Sequence, residues 1–212
     1  FARRNVDQQK KGKLMHEYLL PLYMIYALFP LIIVFFFIPY RIYQHRKYGR
    51  FILARTLIMY SFFLYLICMY FYIITPLPSF ESVLAGPLPV TIQLHPLAFL
   101  HDFREQVYWI RTGSGTVNIS HSVWFQVGGN LGLLFPFGVY LRHYFHRTLR
   151  QTLVLSFLLS LFFELTQLSA LYGIYPAPYR VFDVNDLMFN TIGGGIGYCI
   201  FPRLKQYFPT LS

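Results

Sequence analysis

A series of long apolar segments, separated by short basic loops, most constrains what this chain can fold into. Four of them, at 19–40, 51–75, 122–141 and 149–171, reach the roughly 20 residues that a helix needs to cross the hydrocarbon core of a bilayer. A fifth, at 186–201, is shorter and rich in glycine. Only 12% of the residues are charged, against about 25% in soluble domains. The chain is therefore predicted to be an all-α integral membrane protein with five transmembrane helices.

The distribution of positive charge predicts how these helices are oriented. Arginine and lysine concentrate in the first and third connections and in the C-terminal tail, whereas the second and fourth connections carry few. The positive-inside rule then places the C-terminus in the cytoplasm and the N-terminus outside. The basic residues of 1–14 conflict with this orientation, and one hypothesis is that they are left over from cloning and that the native chain starts at Met15.

The net charge of +10 does not indicate nucleic acid as a partner. The basic residues lie in short loops next to apolar segments, which is the pattern that attracts anionic lipid at a membrane surface. The lipid bilayer is therefore the predicted partner. The chain divides into four parts, which are a basic N-terminal segment (1–14), a transmembrane helix pair (15–75), an extracellular loop (76–121) and a three-helix core (122–205).

The extracellular loop contains a second helical pattern. Phe99, Phe103, Val107 and Ile110 recur at helical spacing, with charged residues on the other faces. This predicts an amphipathic helix on the outer face of the membrane. It would either lie in the membrane interface or cap the bundle without touching lipid. The pattern is compatible with both positions.

Polar residues concentrate near the outer ends of the last three predicted spans. Near the end of the fourth span, Glu164 and Gln167 lie about one turn apart and point the same way. Asp183, Asp186 and Asn190 share one face at the start of the fifth span. Carboxylates inside a bilayer are costly unless they are paired or hydrated, so they are functional-site candidates.

The third span and two neighbouring loops add further polar groups. Asn130 lies a few turns into the third span, Gln126 lies one turn above it, and His121 lies at its outer mouth. Arg180 precedes the fifth span. We therefore predict that three helices direct polar groups into one pocket in the outer leaflet. A hard cation such as Mg²⁺ or Ca²⁺ could bind the carboxylate and amide oxygens of this pocket.

Several of these residues also have an ordinary structural explanation. Asp183 can cap the N-terminus of the fifth helix, and Arg180 can form a structural salt bridge instead of binding phosphate. Gln126 and Asn130 can simply connect helices by hydrogen bonds. His121 can be an interfacial histidine instead of a general base or metal ligand.

Glycine clusters on the third and fifth spans predict close helix packing. Gly128, Gly129 and Gly132 lie on the third span, and the run at 193–195 is followed by Gly197 on the fifth. Small residues at four-residue spacing let membrane helices approach closely. No G-x-x-x-x-G-K-[ST] motif is present, so the clusters are not a nucleotide-binding P-loop.

These motifs, taken together, resemble those of the VanZ-like membrane protein family. The C-terminal run E-x-x-Q at 164–167, R-x-x-D-x-x-D at 180–186, Asn190 and the glycine cluster is similar to the signature of that family. The G-N-L and F-P-F-G segments at 129–131 and 135–138, and Q-L-x-P-L-x-F at 93–99, agree with it. The basic segment at 1–14 has no counterpart.

The resemblance implies an integral membrane protein linked to glycopeptide resistance, with teicoplanin as the associated drug. It also implies a likeness to membrane enzymes that exchange or hydrolyse phospholipid headgroups, which makes an anionic lipid headgroup or a lipid-linked cell-wall precursor the expected partner. Alternatives are a non-catalytic protein that binds such a lipid and blocks access of the antibiotic, and a structural partner of cell-wall enzymes.

In the enzyme hypothesis, the predicted site residues fall into two groups. The general base would be Asp186 or His121, and Glu164 would be an acid or, with Asp186, a metal ligand. Asp183 is a further catalytic candidate. The predicted substrate-binding residues, which would hold phosphate and stabilise developing charge, are Arg180, Gln167, Asn130, Asn190 and Gln126.

Overall fold

The computed structural model of the chain is mostly helical, and its described residues belong to two compact units. One unit comprises residues 1–78 and 209–212, and the other comprises 79–208. The residues that the structure describes are 20–75, 77–78, 83–84, 86, 92–97, 99–101, 103–104 and 123–209.

The first unit is a helical hairpin of α1 (Leu20–Tyr48) and α2 (Leu53–Ile74). The helix α1 was predicted to end at residue 40, and it continues for two more turns. A fully buried side chain, Gln44, fixes the turn between the helices. Its amide donates to the Thr56 hydroxyl at 2.9 Å, and its Oε1 accepts from the Ile52 N–H at 2.7 Å. The turn therefore has a defined geometry at the basic end of the hairpin.

The second unit contains three long helices, which bring its polar residues to one end. They are α3 (Val123–His143), α4 (Leu149–Leu168) and α6 (Val184–Leu204). The helix α4 begins with a capping box between Thr148 and Gln151, which satisfies two of the unpaired N–H groups at a helix start. The shorter elements are the strands β1 (Ile92–Gln93) and β2 (Phe182–Asp183), the helix α5 (Ala170–Gly173) and a 3₁₀ turn (Lys205–Tyr207).

The two strands were not part of the all-α prediction. They are parallel, and Ile92 pairs with Phe182 while Gln93 pairs with Asp183. The pairing joins a segment of the long second connection to the residues immediately before α6. Two-residue strands leave too little sequence for an alternating pattern to show, so sequence alone could not predict them.

The helices α3 and α6 run parallel and approach through glycine. A Cβ at Gly197 would collide with the backbone carbonyl of Phe135, and a Cβ at Gly138 would collide with that of Gly194. The predicted packing role is thus confirmed for the α6 glycines. It is wrong for the α3 cluster, because a Cβ at Gly128, Gly129 or Gly132 would meet no described atom within 4 Å. On α3 the packing glycine is Gly138.

This difference gives a stability prediction. We expect Gly138→Ala to lower the free energy of unfolding by about 1–3 kcal/mol, since a side chain inserted into a close-packed interface displaces backbone. Gly132→Ala is the matched control, and it should be neutral or slightly stabilising because alanine favours helix over glycine. The two purified variants would be compared by thermal unfolding in detergent. Equal melting temperatures for both would contradict this description of the interface.

The helix α4 ends earlier than its predicted limit of 171, because the chain reverses its helical hand. Ala170, Leu171 and Tyr172 have φ values of 53°, 54° and 59°, so the short helix α5 is a left-handed turn. Left-handed backbone costs about 1–2 kcal/mol for each residue with a side chain. Compensating contacts include a 2.6 Å hydrogen bond between the Tyr172 and Thr166 hydroxyls and one from the Tyr175 N–H to the Ala170 carbonyl at 3.0 Å.

Helices occupy all five predicted spans, but only three of those described are long and apolar enough to cross a membrane by length and composition. They are Tyr23–Tyr48, Leu53–Ile74 and Leu149–Leu168. The other two, α3 and α6, have the necessary length and contain the glycine and polar residues described above. The number of spans and the positions of the termini remain predictions.

Part of the predicted outer-face helix is visible. Residues 99–101 and 103–104 are helical, whereas Val107 and Ile110 lie outside the described residues. Phe99 packs edge-on against Phe189 at 4.9 Å between ring centroids, and Phe103 packs against Trp124 at 4.5 Å. Both rings therefore contact helices of the second unit, which agrees with the bundle-capping alternative.

Candidate functional site

The carboxylate of Asp186 is held by two amide side chains from a neighbouring helix. Asp186 lies in the first turn of α6, and its Oδ1 accepts from the Nδ2 of Asn130 and from the Nε2 of Gln126 at 3.2 Å. Gln126 and Asn130 are one turn apart on α3, so both reach the same oxygen. The second oxygen of Asp186, Oδ2, makes no hydrogen bond to any residue that the structure describes. The two amides therefore orient the carboxylate through Oδ1.

Glu164 binds the start of the helix that carries Asp186. It lies on α4 with 5% of its surface exposed, and its Oε2 accepts from the Asp183 N–H at 3.0 Å. The carboxylates of Asp183 and Asp186 lie close enough to act electrostatically on Glu164. Three acidic side chains therefore share one small region. Such a cluster is costly inside a bilayer, and Arg180 is a nearby cation that reduces this cost.

Asp183 has the capping role that was one of its two interpretations. Its Oδ1 accepts from the N–H of Asn185 at 2.8 Å and from the Nδ2 of the same residue at 2.8 Å. An aspartate in this position satisfies an N–H group at the helix start and interacts favourably with the helix dipole. The cap explains why α6 begins where it does, and it leaves Asp186 facing α3.

Sequence reasoning missed Asn185, which anchors residues 92–97 at the start of α6. Its side chain is almost fully buried, and its Oδ1 accepts from the Leu97 N–H at 2.9 Å. Its Nδ2 also reaches the His95 carbonyl at 3.4 Å. Together with the pairing of β1 and β2, these contacts hold residues 92–97 against the start of α6. The available signal was its place among the acidic residues of the R-x-x-D-x-x-D run.

The role of Asn185 can be measured by hydrogen exchange. We expect Asn185→Leu to speed exchange of the Leu97 amide by about 10-fold or more, since a hydrogen bond in a buried setting contributes on the order of 1.4 kcal/mol or more. Amides in the middle of α4 serve as the internal control, and their exchange should not change. Unchanged protection at Leu97 would contradict the anchoring role.

Four other predicted site residues have different positions. Arg180 is exposed, and its charge acts on both Glu164 and Asp186, so it belongs to the cluster. Gln167 is buried on α4, one turn beyond Glu164. Asn190 lies one turn deeper on α6 and donates to the Ser160 hydroxyl of α4 at 2.9 Å, which is a contact between helices. His121 lies outside the described residues.

The loop that precedes β2 contains a buried tyrosine. The chain between the left-handed turn and β2 contains Tyr175, whose ring lies 5.2 Å from that of Tyr179. Burial raises the pKa of the Tyr175 hydroxyl, because a phenolate is poorly stabilised away from water.

The donor set for a metal ion is small. No group of three or more histidine, cysteine, aspartate and glutamate side chains that could hold a metal occurs within the described part of the chain. A hard cation at Glu164 and Asp186 would have to take its remaining oxygen ligands from amides, water or substrate. The described part of the site offers one oriented carboxylate, one buried carboxylate and one exposed guanidinium.

The comparison with protein families decides the assignment. A model of the VanZ/LLP1 family matches residues 62–205, about two thirds of the chain, and this range includes every predicted site residue. The chain belongs to the VanZ/LLP1 family. Together with the apolar helices, membership of this family indicates a membrane protein and suggests a link to glycopeptide resistance. No curated protein and no solved structure gave a significant match.

The VanZ/LLP1 match also separates two parts of the molecule. It covers α3, α4 and α6, which carry the cluster, and it begins within α2 at residue 62. The helix α1 and the basic turn at the end of α1 precede the matched range. The residues of the polar cluster thus lie within the matched range, and the basic turn lies before it.

Proposed function

We propose that this chain is a multi-pass cell-membrane protein that confers resistance to teicoplanin-type glycopeptides in a Gram-positive host. In this proposal the polar cluster faces the extracellular side and acts on an anionic lipid headgroup or a lipid-linked cell-wall precursor in the outer leaflet. The observation that carries it is the carboxylate of Asp186, which Gln126 and Asn130 orient through Oδ1 and which interacts electrostatically with Glu164 and Arg180. Family membership supports the link to resistance.

The chemistry that suits these groups is transfer or hydrolysis at a phosphate ester. Oδ2 of Asp186 would take the proton of an attacking hydroxyl or water as its oxygen bonds to phosphorus. Arg180 would bind the phosphate oxygens, as guanidinium groups do in pairs of hydrogen bonds. The bond from phosphorus to the leaving oxygen would break, and Glu164 would supply the proton that this oxygen takes. His121, which lies outside the described residues, is the alternative candidate for the base.

A non-catalytic role is the second candidate, and one observation favours it. Much of the hydrogen-bonding capacity of the cluster is used internally, since Asp183 caps α6 and Glu164 accepts from the Asp183 backbone. A site of this kind could bind the headgroup or precursor without changing it and so deny the antibiotic its target. In that case isosteric substitutions would weaken resistance gradually, and no modified lipid would accumulate.

The first experiment is expression of the chain in a glycopeptide-susceptible Gram-positive host. We expect the inhibitory concentration of teicoplanin to rise relative to the empty vector. An antibiotic that acts inside the cell serves as the control, and its inhibitory concentration should not change. Equal susceptibility to teicoplanin with and without the membrane-localised protein would contradict the proposal.

A further inference from the structure

The basic end of the helical hairpin contains a groove that is separate from the polar cluster. The groove has a volume of about 470 Å³, and it lies wholly in the first unit. Its position precedes the part of the chain that the VanZ/LLP1 family model matches. The residues that line it are Pro39, Ile42, Tyr43, Arg46 and Lys47.

The chemistry of the groove changes from apolar to cationic along α1. Pro39 and Ile42 are exposed apolar residues, whereas Arg46 and Lys47, one to two turns further on, are exposed cations. The candidate span Tyr23–Tyr48 is about 39 Å long at 1.5 Å per residue, and the hydrocarbon core of a bilayer is roughly 30 Å thick. The cationic end of α1 therefore extends beyond the hydrocarbon, to the depth of lipid phosphates.

Aromatic side chains hold one cation of this groove, Lys47, in place. The ammonium of Lys47 donates to the Tyr43 hydroxyl at 2.9 Å and lies 5.4 Å from the centre of the Tyr43 ring. The Tyr48 ring lies 5.5 Å from the same ammonium and 4.3 Å from the guanidinium of Arg55. A cation over an aromatic face is attracted to it, so these rings hold the Lys47 ammonium in the groove, and Tyr48 also holds Arg55, which does not line the groove.

We propose that this groove binds one anionic phospholipid. The phosphate would lie between Arg46 and Lys47, with the Tyr43 hydroxyl beside it, and an acyl chain would follow Ile42 and Pro39 along α1. Charge complementarity argues for this occupant, since clustered Arg and Lys next to a membrane span attract anionic headgroups. A zwitterionic lipid carries a compensating positive charge, which these two cations would repel.

Native mass spectrometry of the full chain in detergent tests this inference. Phosphatidylglycerol should bind at lower concentration than phosphatidylcholine, and the double substitution Arg46→Gln with Lys47→Gln should weaken phosphatidylglycerol binding by about tenfold or more. Arg203→Gln with Lys205→Gln is the matched control. It removes two exposed cations elsewhere and should leave the affinity unchanged.

Two further measurements test whether the Tyr43 hydroxyl and the acyl chain contribute to binding. Tyr43→Phe removes only one hydroxyl, and it should weaken phosphatidylglycerol binding by about threefold while the protein stays folded. Soluble glycerol phosphate should not displace the lipid, because it lacks the acyl chain. Equal affinity for the two lipids, full binding by the Arg46/Lys47 variant, or displacement by glycerol phosphate would each overturn the proposal. None of these results depends on the role of the polar cluster in resistance.

Discussion

Replacing Asp186 by asparagine is expected to abolish the teicoplanin resistance that this chain confers, while the fold is retained. The substitution keeps an oxygen that can accept from Gln126 and Asn130, as Oδ1 does now. At the position of Oδ2 it places an amide nitrogen, which cannot take a proton. Loss of a general base lowers turnover by about 10²–10⁴-fold, so the inhibitory concentration should fall to that of the empty vector.

Asp183→Asn is the matched control for this experiment. Asparagine is an equally good N-cap, and its oxygen can still accept from Asn185. If Asp183 acts only as the cap, this variant keeps most of the resistance. Thermal unfolding of both purified proteins would verify that they are folded. Full resistance in the Asp186→Asn variant would contradict the catalytic role, and a gradual loss would favour the binding alternative.

Substitutions of Glu164 should distinguish its role as proton donor from its role as hydrogen-bond acceptor for the Asp183 N–H. In Glu164→Leu the Asp183 N–H loses its acceptor in a buried setting, which costs about 1–3 kcal/mol, and the region loses a hydrogen bond that positions α6. We expect a clear fall in melting temperature and complete loss of resistance. Glu164→Gln retains an acceptor oxygen, so it should keep most of the stability and still lose resistance because the proton donor is absent.

The comparison of these two variants is the test. Melting temperature in detergent and inhibitory concentration in cells would be measured for each. If Glu164→Gln retained full resistance, Glu164 would be only a structural acceptor, and the mechanism would have to assign the acid to another group. If Glu164→Leu were as stable as the original protein, the hydrogen bond to Asp183 would not hold the start of α6.

The meeting of polar groups at one end of the bundle could be predicted from sequence. Residues three or four apart share a helix face, and helices that alternate in direction bring the start of α3, the end of α4 and the start of α6 together. Asp186, Gln126 and Asn130 do meet there. Their catalytic and binding roles stay predictions, as do those of Arg180 and His121.

Other features could not be predicted, because they depend on contacts between distant parts of the chain. Asn185 bonds to Leu97 across 88 residues, and its place in the R-x-x-D-x-x-D run does not indicate so distant a partner. Gly138 instead of Gly132 packs on α6 because of how α3 is rotated about its axis. The left-handed turn at 170–172 opposes the local preference of alanine, leucine and tyrosine, so only tertiary contacts can stabilise it.

Comparative analysis of lipids and cell-wall precursors tests the central claim most directly. Cells carrying the original protein, the Asp186→Asn variant or an empty vector would be grown alike, and their phospholipids and lipid-linked precursors would be compared by mass spectrometry. The account predicts an altered headgroup or precursor only in cells with the original protein. Identical profiles in all three strains, while the original protein still confers resistance, would contradict it.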